Sequence, residues 1–133
     1  MHGKEYLVHV EAKSYEEAVS YCATKGGKLA EPKSDEANND IVNLAESNIM
    51  EFINVWIGID DKSQEGYFRY ASDNALITFA DWDNAQPDNG NYQVNLEEDC
   101  VKLIKWPGAN RFRWSDALCS VKSSFVCERI KGK

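Results

Sequence analysis

Val55-Trp56-Ile57-Gly58-Ile59 decides the fold. The run is apolar throughout and too short for a helix. It lacks the alternation of a half-solvated strand, so it reads as a strand buried on both faces. On its N-terminal side the apolar residues recur with the period of a helix. On its C-terminal side they fall into short strand-like runs between polar loops.

Working back from Val55, Ser14 with Glu17 three residues later forms a capping box. The apolar positions Tyr15, Ala18, Val19, Cys22 and Ala23 then follow the 3.6-residue period. Gly26-Gly27 stops that helix. Ser34 caps a second helix, from Asp35 to about Asn48, with Ala37, Ile41, Leu44 and Ala45 as its inward stripe. Asp35 and Glu36 suit the positive end of its dipole. Gly3 to Val10 reads as a strand with Tyr6, Val8 and Val10 on one side. Leu29-Ala30 is a short buried link, and Pro32 marks a turn.

Working forward, strands are expected at Gly66 to Tyr70, Cys100 to Lys105, near Arg111 to Trp114, and from Ser124 to Ile130. Between them, Ala71 to Glu97 is rich in Gly, Asn, Asp and Pro. A loop of this length is uncommon in a compact domain unless it has a function. Helices first and short strands afterwards indicate an α+β domain. No linker or repeat divides residues 1–133, so one domain is expected, and 133 residues suffice to bury a core.

A formal charge of −7 argues against nucleic acid as a partner. No apolar run approaches the roughly 20 residues needed to cross a bilayer, so membrane insertion is not expected. Met1-His2-Gly3-Lys4 has no hydrophobic stretch of signal-peptide type, which predicts a mature domain or a piece of a longer protein. No Asn-x-Ser/Thr sequon occurs. Cys22, Cys100, Cys119 and Cys127 allow three pairings, and none has the spacing of a zinc or redox site. His2 and His9 are distant from them and read as surface or strand residues. Two disulfides and an oxidising, secreted or extracellular setting are therefore expected. Nested pairing of Cys22 with Cys127 and Cys100 with Cys119 would tie the ends of the chain together.

The chemistry-bearing residues fall in four pieces: Asp61 with Glu65, Gln86-Pro87-Asp88-Asn89, Glu98-Asp99, and Trp114-Ser115-Asp116. All offer hard oxygen donors, which favour Ca²⁺ over zinc or copper. Taken alone, such acids read equally as solvated loop residues, and Gln86-Pro87-Asp88 as an ordinary turn. Adjacent Glu98 and Asp99 would point to opposite faces of a strand, which argues against a glycosidase carboxylate pair. No catalytic triad or phosphate loop is present, and an enzyme is not expected.

Trp56-Ile57-Gly58-Ile59, Gln86-Pro87-Asp88 four residues after Trp82, Glu98-Asp99-Cys100-Val101, Trp114-Ser115-Asp116 and Phe125-Val126-Cys127-Glu128 together resemble the signature of C-type lectin carbohydrate-recognition domains. The resemblance runs from Tyr6 to Glu128. Gly27 to Lys33, followed by the Ala37-Asn38 helix, is most similar to the collectin branch. It implies two helices packed on two small antiparallel sheets, a long calcium-binding loop region, and the Cys22–Cys127 and Cys100–Cys119 disulfides.

The resemblance implies that Gln86, Asp88, Glu98, Ser115 and Asp116 hold a sugar-binding Ca²⁺. Each side chain would give one oxygen and the Asp116 carbonyl a sixth, leaving two positions for vicinal sugar hydroxyls. Pro87 would be cis. A second Ca²⁺ would use Asp61, Glu65, Asn89 and Asp99, with Glu98 shared. The Gln-Pro-Asp order implies galactose or N-acetylgalactosamine, because exchanging amide and carboxylate exchanges donor and acceptor around the sugar. Four departures bear on this. Asn89 replaces an Asp, which weakens the second site. The segment from Asp88 to Glu98 is longer than in collectins. Gly90 stands where galactose binders place an aromatic, leaving Tyr92 and Trp106 as the stacking candidates. Ser115 replaces the commoner Asn.

Trp56 and Trp114 are expected in the core. Arg111, Arg113, Lys102 and Lys105 are expected to form a basic spot beside the site, available to acidic sugars or simply solvated. The functional expectation is calcium-dependent glycan binding. The alternative is a C-type lectin-like module for a protein, ice or other non-sugar ligand. Nothing identifies an oligomerisation element, although weak single sites would gain from avidity.

Overall fold

The computed structural model of the chain describes residues 4–48, 54–63, 67–82, 100–105 and 111–130. In chain order the elements are β1 (Lys4–Lys13), α1 (Tyr15–Thr24), β2 (Lys28–Leu29), α2 (Asp35–Asn48), β3 (Val55–Asp60), β4 (Arg69–Tyr70), β5 (Cys100–Ile104), β6 (Arg113–Ala117) and β7 (Ser123–Ile130). The α+β architecture expected from the sequence is present.

Local signals set the helix starts. The Ser14 hydroxyl accepts from the Glu17 N–H and the Glu17 carboxylate accepts from the Ser14 N–H, the reciprocal capping box. Ser34 Oγ likewise accepts from the Ala37 N–H at the start of α2. The buried stripes differ from the sequence reading in detail. Ala23 is exposed, and the inward face of α1 is Tyr15, Ala18 and Cys22. On α2, Asn38, Ile41, Val42 and Ala45 are buried, whereas Ala37 and Leu44 are only half-buried. Helical spacing fits both stripes, and the shape of the facing sheet selects between them.

The main path of the sheet is ordered β1-β7-β3-β5-β6, with β2 paired to β7 and β4 to β3. The terminal strands pair antiparallel from Lys4↔Ile130 to His9↔Phe125. The expected two antiparallel sheets are joined, because β3 runs parallel to β7 at Val55↔Ser124 and Trp56↔Phe125. The result is one connected mixed sheet. A register shift after His9 turns Val10 outward, and it is exposed rather than aligned with Tyr6 and Val8. β6 begins at Arg113 and runs through Ser115 and Asp116, so these two lie on an edge strand.

Each face of the sheet carries its own core. One joins α2 through Ile41, Val42 and Ala45 to Ile57, Ile59, Val101, Leu103 and Trp114. The other joins α1 through Tyr15, Ala18 and Cys22 to Leu29, Trp56 and Phe125. Gly58 is the one residue of the deciding run without a side chain. A Cβ there would lie 2.9 Å from the Leu29 carbonyl, so β2 passes directly over it.

The disulfides are Cys22–Cys127 and Cys100–Cys119, as expected. The first spans 105 residues and ties α1 to β7. In the chain-entropy account a loop of that size stabilises by about 4–5 kcal/mol. Two buried acids that the sequence did not single out are fully engaged. Glu31 accepts from the Ser72 N–H at 2.9 Å and pairs with Lys28 at 3.2 Å. Glu128 accepts the Glu31 N–H at 2.7 Å and pairs with Lys4 at 3.1 Å. Buried carboxylates need such partners, and these fix β2 against β7.

A candidate metal site at the outer edge of the sheet

Asp61, Ser115 and Asp116 are the expected ligands that fall within the described residues, and all three are buried. The ladders bring them to one end of the sheet. Asp60 pairs with Cys100, Cys100 pairs with Ala117, and Asp116 sits opposite Val101. Asp61 therefore leaves β3 at the end where β5 begins and β6 finishes. Gln86, Asp88, Asn89, Tyr92, Glu98, Asp99, Glu65, Trp106 and the Pro87 peptide bond lie outside the described residues. Among the described residues no group of three or more His, Cys, Asp and Glu gathers as a metal cluster.

Backbone direction at the edge follows from one hydrogen bond. The Trp114 N–H donates to the Asp81 carbonyl at 2.9 Å, where Trp82 bridges Trp114 in parallel. Trp114 thus turns its backbone groups away from β5. Two residues on, those of Asp116 face the same way, because strand polarity repeats every second residue. The Asp116 carbonyl points away from β5 and accepts from Ser115 Oγ at 3.2 Å. Ser115, paired with Lys102, points to the face opposite that of Asp116. An ion seated beside the edge would meet the Asp116 carbonyl and side chains coming round from both faces. The Asp116 carboxylate and carbonyl with the Ser115 hydroxyl, all oxygen donors, fit a hard divalent cation such as Ca²⁺.

A polar network behind this edge was not legible in the sequence. The Trp114 indole N–H donates to Asn38 Oδ1 at 2.9 Å, and Asn38 Nδ2 donates to Asp81 Oδ2 at 3.0 Å. An indole can only donate and a carboxylate can only accept, so the Asn38 amide has one orientation. Asp81 also takes both Arg111 terminal nitrogens at 2.7 Å, and Arg113 approaches it at 3.5 Å. The bond to Asp81 holds the Arg111 guanidinium above its ordinary pKa. One sequence signal was available: Asn38 sits on the buried spacing of α2 as a polar residue.

The expected basic spot is corrected by the same contacts. Arg111 and Arg113 serve Asp81, Lys105 pairs with Glu46 at 3.7 Å, and the Lys102 ammonium lies 5.6 Å from the Trp56 ring centre. Each of these cations has a partner within the domain, and Arg113 keeps 42% of its side chain exposed. Trp56 and Trp114 are core residues, as expected. Phe68 and Trp114 pack against Trp82 at ring separations of 4.9 and 5.4 Å, fixing the chain where it leaves for residue 83.

Comparison with known proteins gives the same assignment. A family profile described as "Lectin C-type domain" matches residues 11–129. Human Collectin-10 is 33% identical over 131 residues, covering 98% of this chain and 43% of that protein. The chain thus spans less than half the length of the collectins it matches. Salivary C-type lectin 2 of Aedes albopictus is 34% identical over 134 residues, covering 96% of this chain and 84% of that one. Among solved structures, the mouse scavenger receptor C-type lectin carbohydrate-recognition domain superposes with a TM-score of 0.81 at 28% identity, over 96% of this chain and 90% of its own. Domains of this family are binding modules rather than enzymes and are in general calcium-dependent. With its fold, its disulfides and its sequence in agreement, the chain belongs to the C-type lectin family.

Proposed function

We propose that this domain binds glycans of the galactose or N-acetylgalactosamine type through a calcium ion held at the outer edge of β6, the side away from β5. The observation that carries the proposal is the Asp116 carbonyl turned away from β5, flanked by buried Ser115 and Asp116 side chains, on the edge of β6 where Trp82 docks. At Trp82 the chain runs parallel to β6, toward Asp116.

Gln86, Asp88 and Glu98 would complete the ligand set with Ser115 and Asp116. Bound there, calcium supplies vacant coordination positions for two sugar hydroxyls. Gln86 would donate to one hydroxyl and Asp88 accept from the other, the polarity that favours galactose-type sugars. Tyr92 and Trp106 are the residues proposed to stack on the sugar. Asp61, buried at the end of β3, would serve a second and weaker calcium with Glu65, Asn89, Glu98 and Asp99. A secreted or extracellular location is consistent with two disulfides. Oligomerisation would raise the avidity of a weak single site.

The test is a glycan array read with calcium and with EDTA, followed by competition with galactose and mannose. Binding that needs calcium and yields to galactose supports the proposal, and binding that persists in EDTA refutes it. The hydroxyl at Ser115, a poorer ligand and no amide donor, favours a second reading in which the ligand is a protein or another non-sugar. Calcium uptake with a blank array would select that reading.

A further inference from the structure

We propose that Asp81 is a positioning residue for the calcium site, a step that rests on the calcium reading above. Four residues from two separate parts of the chain converge on this half-buried residue. Its carbonyl receives the Trp114 N–H at 2.9 Å, which docks the chain entering the loop against the outer edge of β6. Its carboxylate receives both terminal nitrogens of Arg111 at 2.7 Å, just before β6 begins. Arg113, the first residue of β6, adds a third cationic contact at 3.5 Å. Asn38 of α2 donates from the other side at 3.0 Å and is itself locked by the Trp114 indole.

Trp114 is therefore held through both its main chain and its side chain by the Asp81–Asn38 pair. The next two residues are Ser115 and Asp116, the ligands proposed on this strand. The spacing between Asp81-Trp82 and β6 is set by these protein contacts. The Ser115 and Asp116 ligands are then held in place before any metal arrives, and less ordering remains for binding. Partners that orient metal ligands from behind usually contribute about 10- to 100-fold to metal affinity.

Asp81→Asn is the informative substitution, since it keeps the side-chain volume and sets an amide N–H against donors that need an acceptor. Val42→Ala is the control. It lowers stability by thinning the core on α2 and touches none of the four contacts. Calcium affinity of the purified chain is measured by calorimetry with calcium chloride, well below the melting temperature of each apo variant. Melting in EDTA is recorded in parallel.

The expected result is a loss of calcium affinity of about tenfold or more in Asp81→Asn, with Val42→Ala within about twofold of the native chain. Equal affinities for Asp81→Asn and the native chain, or an equal loss in Val42→Ala, overturn the positioning role and leave the calcium site standing. No calcium uptake by the native chain overturns both. If Asp81→Asn does not fold, Arg111→Gln removes the two 2.7 Å contacts from the other side and is judged by the same criteria.

Discussion

The Tyr15 hydroxyl donates to Asp60 Oδ2 at 2.8 Å, joining the first residue of α1 to the last residue of β3. The other Asp60 oxygen accepts the Lys62 N–H at 3.3 Å, so one carboxylate shapes the turn that carries Asp61. Burial first, then the Asp60 charge, pushes the Tyr15 hydroxyl far above its ordinary pKa, and it remains a donor at every working pH. Tyr15→Phe keeps the edge-on contact with Trp56 and removes only the bond. It is expected to lower unfolding stability by about 2 kcal/mol in urea titrations, because a charged acceptor loses its buried donor. A change below about 0.5 kcal/mol would show that water replaces the tyrosine.

Ser115→Asn extends an amide oxygen beyond the reach of the present hydroxyl at the edge of β6. Under the proposed coordination it should tighten calcium binding by roughly fivefold, as seen in calorimetry, and strengthen galactose competition in step. Unchanged calcium affinity would remove Ser115 from the ligand set.

His9 should give stability a pH dependence below neutrality. Its ring stacks on Phe125 and meets the edge of Tyr21, both at 5.0 Å, and its buried Nε2 has no hydrogen-bond partner among the described residues. Burial lowers its pKa, Glu11 opposes that shift and Lys25 adds to it. The ammoniums of Lys13 and Lys25 also lie over Tyr21. The unfolded chain thus binds the proton first. The contribution is intact above the unfolded pKa of about 6.5 and is lost as pH falls through that value toward the lower folded one. Melting curves in EDTA from pH 7.5 to 5 should therefore show a decline that His9→Phe flattens. An identical decline in the variant would place the effect elsewhere.

Gly26 and Gly27 should respond differently to alanine. Gly26 has φ +80 with open space around its Cβ position, so Gly26→Ala should cost about 1–2 kcal/mol from backbone strain alone. At Gly27 a Cβ would meet the Glu128 carbonyl at 2.1 Å, and β7 must move to admit it. Gly27→Ala is expected to cost more than about 3 kcal/mol and to weaken the Lys4–Glu128 pair. Comparable melting temperatures for the two variants would contradict this ranking.

Much of the architecture was legible because its signals are local. The Ser14–Glu17 box spans one helical turn, and the apolar run at Val55 needs no partner to be recognised. Burial of Cys22 followed from the helical period and that of Trp56 from the continuous apolar run, for the same reason. The oxygen-rich set that includes Asp61, Ser115 and Asp116 was legible as chemistry, by residue type and by family resemblance.

The sequence by itself determined both helices, most of the strands and the kind of donors offered to a metal, and its resemblance to a known family implied the disulfide pairing that the structure shows. Only the tertiary structure decided the parallel β3–β7 contact, the exposure of Val10 and Ala23, the burial of Asn38 and the withdrawal of Arg111 and Arg113 onto Asp81. It also decided that Ser115 and Asp116 sit on an edge strand with one carbonyl turned outward. The division has a physical cause. Caps and apolar periods are written within a few neighbouring residues, whereas an ion pair across 30 positions or an indole–amide bond across 76 exists only once the sheet has brought distant segments together.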